Sequence, residues 1–155
     1  MTGLKPGRFA LVAIVALIAL VISTPFTATA VSTDPAVTAA AGKRIIVSTS
    51  KQTLYAYYGN TLVFTAPVNV RGIRSGTFRV QNKIAQARSI VRGWKLPYWM
   101  GIYYVGRVQN GIHGPAITRN GTAITSLGCV VLRRSADAAT LFRWASVGTP
   151  VTVKR

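Results

Sequence analysis

Two stretches, RIIVSTS (residues 44–50) and TLYAYYGNTLVFTAPVNV (residues 53–70), gather β-branched and aromatic residues into short runs broken by turn formers, and nothing else in the chain restricts its fold as tightly. Side chains of this kind suit the pleated surface of a strand, whereas an amphipathic helix would repeat its apolar residues every third or fourth position. Strands are expected at about 44–48, 53–58 and 61–68, with Gly59-Asn60 as a hairpin turn. RGIRSG (71–76) is a Gly-punctuated loop that leads into GTFRVQN, a further strand with Phe78 and Val80 on one face. KIAQARSIVRGWKLPYWM is mixed and has no clear period, while GIYYV, IHG and CVVL read as more short strands. SADAATLFRWA (135–145) is the one convincing helix of the domain, capped by Ser135 and apolar along Leu141, Phe142 and Trp144, and VGTPVTV closes the chain as a last strand. The expected class is mainly β with one helix packed on it, and the pattern leaves a sandwich and a barrel both open.

At 155 residues the chain fits one domain with a single core. It carries nineteen Lys and Arg against two acids, Asp34 and Asp137, a net charge of +17. Residues 43–155 hold seventeen of those basic residues against Asp137 alone, so the charge belongs to the folded part. A solvated basic surface and a polyanion-binding surface both fit such a balance.

The N-terminus narrows the partners. Lys5 and Arg8 precede FALVAIVALIALVI (9–22), and STPFTATA follows, ending in Ala28-Thr29-Ala30. A charged start, an apolar middle and a small-residue site are the layout of a secretory signal. As a helix the apolar run reaches about 21 Å at roughly 1.5 Å per residue, short of the ~30 Å hydrocarbon core. No charge falls between Phe9 and Thr33, so an uncleaved membrane anchor is the alternative. The expected organisation is a signal peptide or anchor at 1–30, a linker at 31–42 (VSTDPAVTAAAG) and a domain at 43–155. Either way the positive-inside rule sends the domain out of the cytoplasm, to the cell envelope, which argues against nucleic acid as a partner.

The single histidine and the single cysteine stand sixteen positions apart, in GIHGPAITRNGTAITSLGCVVL (111–132). Exported chains use cysteines mainly in pairs, so a lone one is a free reactive thiol, half of an intermolecular disulfide, or an inert buried side chain. A structural zinc site wants four ligands, and one His, one Cys and two distant acids do not supply them. Paired-carboxylate chemistry fails on the same count. A thiol with an imidazole base does fit: His113 would draw the proton from Cys129, whose thiolate is the nucleophile. The connection through residues 114–128, with Asn120-Gly121 as a turn, lets IHG and CVVL lie side by side. Gly128 then permits close backbone approach, Gly114 keeps the base uncrowded, and the N–H groups around Ser126, Leu127, Gly128 and Cys129 are candidates for an oxyanion hole. Tyr98 and Trp99, beside Pro97, are a packed loop or a substrate-contacting aromatic pair.

The residues I-H-G, then S-x-G-C followed by apolar residues, resemble the signature of the YkuD-like L,D-transpeptidase catalytic domain. RIIVSTSKQTLYAYYGNTLVFTAPVNV resembles that family's opening strands, SGTFRV its Thr-Gly-Thr-Phe strand, LPYWM its Pro-Tyr-Trp-Met segment, and DAATLFRWASVGTPVTV its closing helix and strand. The likeness covers nearly all of residues 43–155. It implies an exported enzyme that acts on peptidoglycan stem peptides: it cleaves after the third residue of a tetrapeptide stem, holds the stem as a thioester on Cys129 with His113 as general base, and passes it to an amine. No cofactor is implied. Two positions depart from the pattern: Leu127 replaces the histidine usual before Gly-Cys, and Val131 replaces an Arg or Asn two residues after the cysteine. Strand alternation makes Arg133 the residue that could stand in for the second. A catalytically weakened cationic module that binds anionic wall polymers is the alternative these departures and the charge suggest, with the membrane a further partner if the N-terminal segment is retained.

Overall fold

The computed structural model describes residues 42–155, so the expected signal or anchor and nearly all of the linker lie outside the described residues. Among the described residues, no helix is long and apolar enough to cross a membrane. Within residues 42–155 eleven strands and one helix follow in chain order: β1 (Lys43–Ser48), β2 (Thr53–Tyr58), β3 (Thr61–Val70), β4 (Gly76–Arg79), β5 (Asn82–Arg88), β6 (Lys95–Val105), β7 (Val108–His113), β8 (Ala116–Thr118), β9 (Gly121–Ala123), β10 (Val130–Leu132), α1 (Ser135–Trp144) and β11 (Pro150–Lys154). The strands pair in the order β4-β11-β1-β2-β3-β10-β7-β6-β8-β9, with β5 attached to β6. The sheet does not close on itself, which decides against a barrel.

Strand β3 divides the sheet into two wings. In the first wing β1, β2, β11 and the second half of β3 alternate, so that Ile45 and Val47, Leu54 and Ala56, Ala66 and Val68, and Val151 and Val153 all turn inward and are buried; Ser48, at the end of β1, is buried as well. Gly59-Asn60 forms the expected two-residue hairpin loop between Tyr58 and Thr61, with Gly59 at φ 56°. The second wing holds the short strands and the irregularities. Its strands deliver Met100, Ile102, Ile112, Val130 and Leu132 to the same core. Phe78 and Val80 share a face as expected: Val80 is buried, and Phe78 stacks on Tyr103 at 4.7 Å.

The mixed stretch after residue 82 is where the sequence pattern was silent, and there the chain forms β5 and the first half of β6. Strand β5 is mostly exposed, so its side chains carry no inward alternation to read. Its order comes from the long ladder with β6, from Asn82 opposite Gly101 to Arg88 opposite Lys95.

Helix α1 packs Ala138 and Leu141 into the core. Its N-cap is Arg134 rather than Ser135, and no side chain caps the first turn. Instead Arg134 grips Asp137 with two bonds, Nε to Oδ2 at 2.8 Å and Nη2 to Oδ1 at 3.1 Å, so the acid that favours the positive end of the helix is already held. The C-terminal carbonyls are met by lysines from the sheet: Lys43 Nζ donates to Trp144 O at 2.8 Å and Lys83 Nζ to Ala145 O at 2.6 Å. Burial, and then the nearby Lys43 charge, lower the Lys83 pKa.

Candidate active site

Strands β7 and β10 are parallel neighbours, with Val131 opposite His113 and Val130 opposite Ile112. Cys129 immediately precedes β10 and shares the face of Val131, so it lies on the His113 side of the sheet, two residues out of register. Ile112, Val130 and Leu132 point the other way, into the core. Both His113 and Cys129 line one cavity of about 410 Å³, and Trp94, Trp99, Asn110 and Leu127 share its wall.

The histidine is fixed on two sides. Its Nδ1 lies 2.6 Å from the Gly114 carbonyl oxygen, which can only accept, so Nδ1 carries the proton and Nε2 keeps the basic lone pair. The indole of Trp99 stacks on the imidazole at 5.7 Å. Gly111 makes that stacking possible, because a Cβ there would come within 3.0 Å of the Trp99 ring and 2.4 Å of the Met100 carbonyl oxygen.

The cysteine is held by its own loop. Gly128 has φ +99°, a conformation side chains resist, and a Cβ there would meet Asn110 Oδ1 at 2.9 Å. Its N–H donates to the Arg71 carbonyl at 2.9 Å. Ser126 Oγ accepts from the Arg71 N–H at 3.0 Å and lies 3.1 Å from the Arg71 carbonyl and 2.6 Å from that of Cys129. The Cys129 thiol faces Asn110 Oδ1 at 3.8 Å.

Burial pushes the Cys129 thiol up from its ordinary pKa, and the Gly111 backbone amide pulls it partly back. Burial likewise pushes His113 below the usual imidazole range, against a smaller opposing pull from the Gly114 carbonyl. Both directions favour the uncharged forms, a thiol and a neutral imidazole.

The other expected site residues separate. Trp99 and Leu127 line the cavity, Leu127 being 58% exposed at its mouth. Tyr98 faces the opposite side, because neighbours along a strand alternate, and its ring packs on Phe142 at 5.8 Å. The N–H groups of Gly128 and Gly114 are occupied, that of Gly114 by the Pro97 carbonyl at 2.9 Å, which leaves those of Ser126, Leu127 and Cys129 as the candidate oxyanion donors of this loop. Ser126 is buried and braces the loop from behind. Arg133 lies off the cavity and donates its Nε to the Val68 carbonyl at 3.2 Å. Val131 is fully buried, so a side chain there has no solvent face. The turn between the two reactive residues is Arg119-Asn120, one residue earlier than expected, since Thr118 pairs with Gly121. Asn110 and Gly111 carried a sequence signal only in their nearness to His113. Among the described residues no cluster of His, Cys, Asp or Glu could hold a metal ion.

The open β fold thus brings an imidazole at the end of β7 and a thiol just ahead of the parallel β10 to one cavity. Over residues 42–153 the sequence matches the YkuD L,D-transpeptidase catalytic domain, and the chain belongs to that family. No curated protein matches it significantly. Among solved structures, it is similar to an L,D-transpeptidase from Stackebrandtia nassauensis (25% identity, TM-score 0.60, covering 72% of this chain and 55% of that one). It is similar also to L,D-transpeptidase 1 of Mycobacterium tuberculosis (18% identity, TM-score 0.60, 74% and 60%). A third is an L,D-transpeptidase in complex with imipenem (20% identity, TM-score 0.59, 72% and 58%). The chain thus spans between half and two thirds of the length of these proteins.

Proposed function

We propose that this protein is an exported cysteine L,D-transpeptidase that cross-links or remodels peptidoglycan through a thioester on Cys129. The observation that carries the reading is that His113, the last residue of β7, and Cys129, which directly precedes the parallel β10, line one cavity. His113 Nε2 takes the thiol proton as the sulfur attacks the carbonyl carbon of the third stem residue. The bond from that carbonyl to the nitrogen of the fourth residue breaks, and the imidazolium returns the proton to the departing amine. An incoming amine then attacks the thioester, His113 accepts its proton, and the sulfur leaves and is reprotonated. The Ser126, Leu127 and Cys129 N–H groups are the candidate donors to the developing oxyanion.

The test uses tetrapeptide stems with wild-type protein and with Cys129→Ala. A cross-link joining the third residues of two stems is expected from the wild type alone, and the same product from both proteins, or from neither, refutes the proposal. A carbapenem, the class represented by the imipenem in one structural neighbour, should leave one mass adduct on Cys129 that is lost in His113→Ala.

The cationic wall-binding module is favoured by one observation, the buried Val131 where the family has a polar side chain. It predicts retention on purified wall material that falls steeply with salt, with no acylation of Cys129.

A further inference from the structure

Beside the cavity that holds His113 and Cys129 lies a second groove of about 620 Å³, bordered by Arg88, Arg92, Lys95 and Arg119. The two share Arg88, Arg92 and Trp94, so they form one continuous surface. The basic groups come from two places in the chain, the β5–β6 hairpin with Arg92 in its loop and the β8–β9 turn. Arg88 ends β5, Lys95 opens β6, and Arg119 sits in the turn between β8 and β9. None of them meets a carboxylate within the fold: the single acid among the described residues, Asp137, is taken by Arg134.

Two of the guanidinium groups are already positioned. Arg92 lies over the Trp94 ring at 4.9 Å, and Arg88 Nη1 donates to the Gly93 carbonyl at 2.9 Å. The loop that carries them is closed on itself, with Ser89 N donating to Trp94 O and Gly93 N to Ser89 O, both at 2.8 Å. Stacked or anchored guanidinium forks lose less freedom when they bind a planar anion, and they match a carboxylate in two-point fashion.

We infer that this groove is a subsite for the free carboxylates of the stem peptide, so that the enzyme selects stems with ionised acidic side chains over the same stems with those groups amidated. Continuity with the cavity favours a peptide over a separate polymer, since an anion in the groove and an acyl group at Cys129 then belong to one molecule. The inference rests on the reading of Cys129 as the acylated sulfur.

The experiment compares two tetrapeptides of one sequence, with side-chain carboxyls free or amidated, binding to the Cys129→Ala protein by calorimetry and acylating Cys129 of the wild type by mass spectrometry. The free-acid form should bind at least about tenfold tighter at low salt, a gap of ~1.4 kcal/mol. That ratio should fall towards one in the double variant Arg92→Gln, Lys95→Gln. It should persist in Arg143→Gln, which removes a charge from the exposed side of α1. Equal binding of the two peptides overturns the inference, as does an equal loss of preference in Arg143→Gln. So does a poly(glycerol phosphate) oligomer that needs Arg92 and Lys95 while the peptides bind alike. Acylation without carboxylate preference would sink the subsite and keep the enzyme. Preference without acylation would do the reverse.

Discussion

The two wings of the sheet differ in regularity. The wing of β1, β2, β4 and β11 is regular, its inward residues branched or aliphatic, its registers unbroken except for one shift at Ala56/Tyr57, and its one non-glycine at positive φ, Gln52, confined to a turn. The wing of β6, β7 and β10 has a register shift at Gly101/Tyr103, a strand of three residues, a non-glycine at φ 57° (Tyr98), and glycines pressed against neighbouring atoms. Both wings bury apolar residues in the shared core. The second also carries local irregularity, and it lies beside the cavity that His113 and Cys129 line.

This contrast should break cleanly under mutation. Cys129→Ala should reduce transpeptidation by roughly a thousandfold or more while leaving the melting temperature near wild type, checked by product analysis and a thermal scan. Leu54→Ala, in the regular wing, should cost about 2–5 kcal/mol in denaturant unfolding and leave acylation per folded molecule unchanged. If Leu54→Ala impaired chemistry as much as stability, the division between the wings would be false. Gly128→Ala should do some of each. The positive φ and the clash with Asn110 predict a loss of about 1–3 kcal/mol and slower carbapenem acylation than Ser126→Ala, which removes a brace without adding a Cβ at the turn.

A smaller effect is expected from pH. His113 is held below its ordinary pKa, so the unfolded chain takes up a proton that the folded one refuses, and stability should fall as pH drops below about 6.5. Cys129 is held above its ordinary pKa, so the unfolded chain loses its proton first, and stability should fall again as pH rises above about 8.5. Melting temperatures across pH should therefore show a plateau between these limits, with the acid limb flattened in His113→Gln. Iodoacetamide should label Cys129 slowly near neutrality and faster in alkali. Rapid labelling at pH 7 would mean a preformed thiolate and overturn the uncharged pair. The least effect should come from Leu127→His: Leu127 is exposed at the mouth, and stability should move by no more than about 0.5 kcal/mol.

The regular wing was legible in the chain because alternation of Ile45, Val47, Leu54 and Ala56 reports burial directly. So was the helix, through Leu141, Phe142 and Trp144. Strand β5 was not, since an exposed strand ordered by its partner leaves no period in its own residues. The candidate pair His113 and Cys129 stood out by being single, and Trp99 by its company. Tyr98 stood out equally and faces away, because sequence proximity cannot tell which of two adjacent strand residues will turn to the cavity.

By itself, then, the sequence determined the β class, the helix, the membership of residues 42–153 in the YkuD family and the chemical types available for a site. Only the tertiary structure decided that β10 runs parallel beside β7, that the Gly128 N–H is spent on Arg71, and that Arg119 joins Arg88, Arg92 and Lys95 of the β5–β6 hairpin around one groove. The reason is physical: periodicity is a local property of a strand, whereas register, hydrogen-bond occupancy and the meeting of distant charges are set by which strands pair.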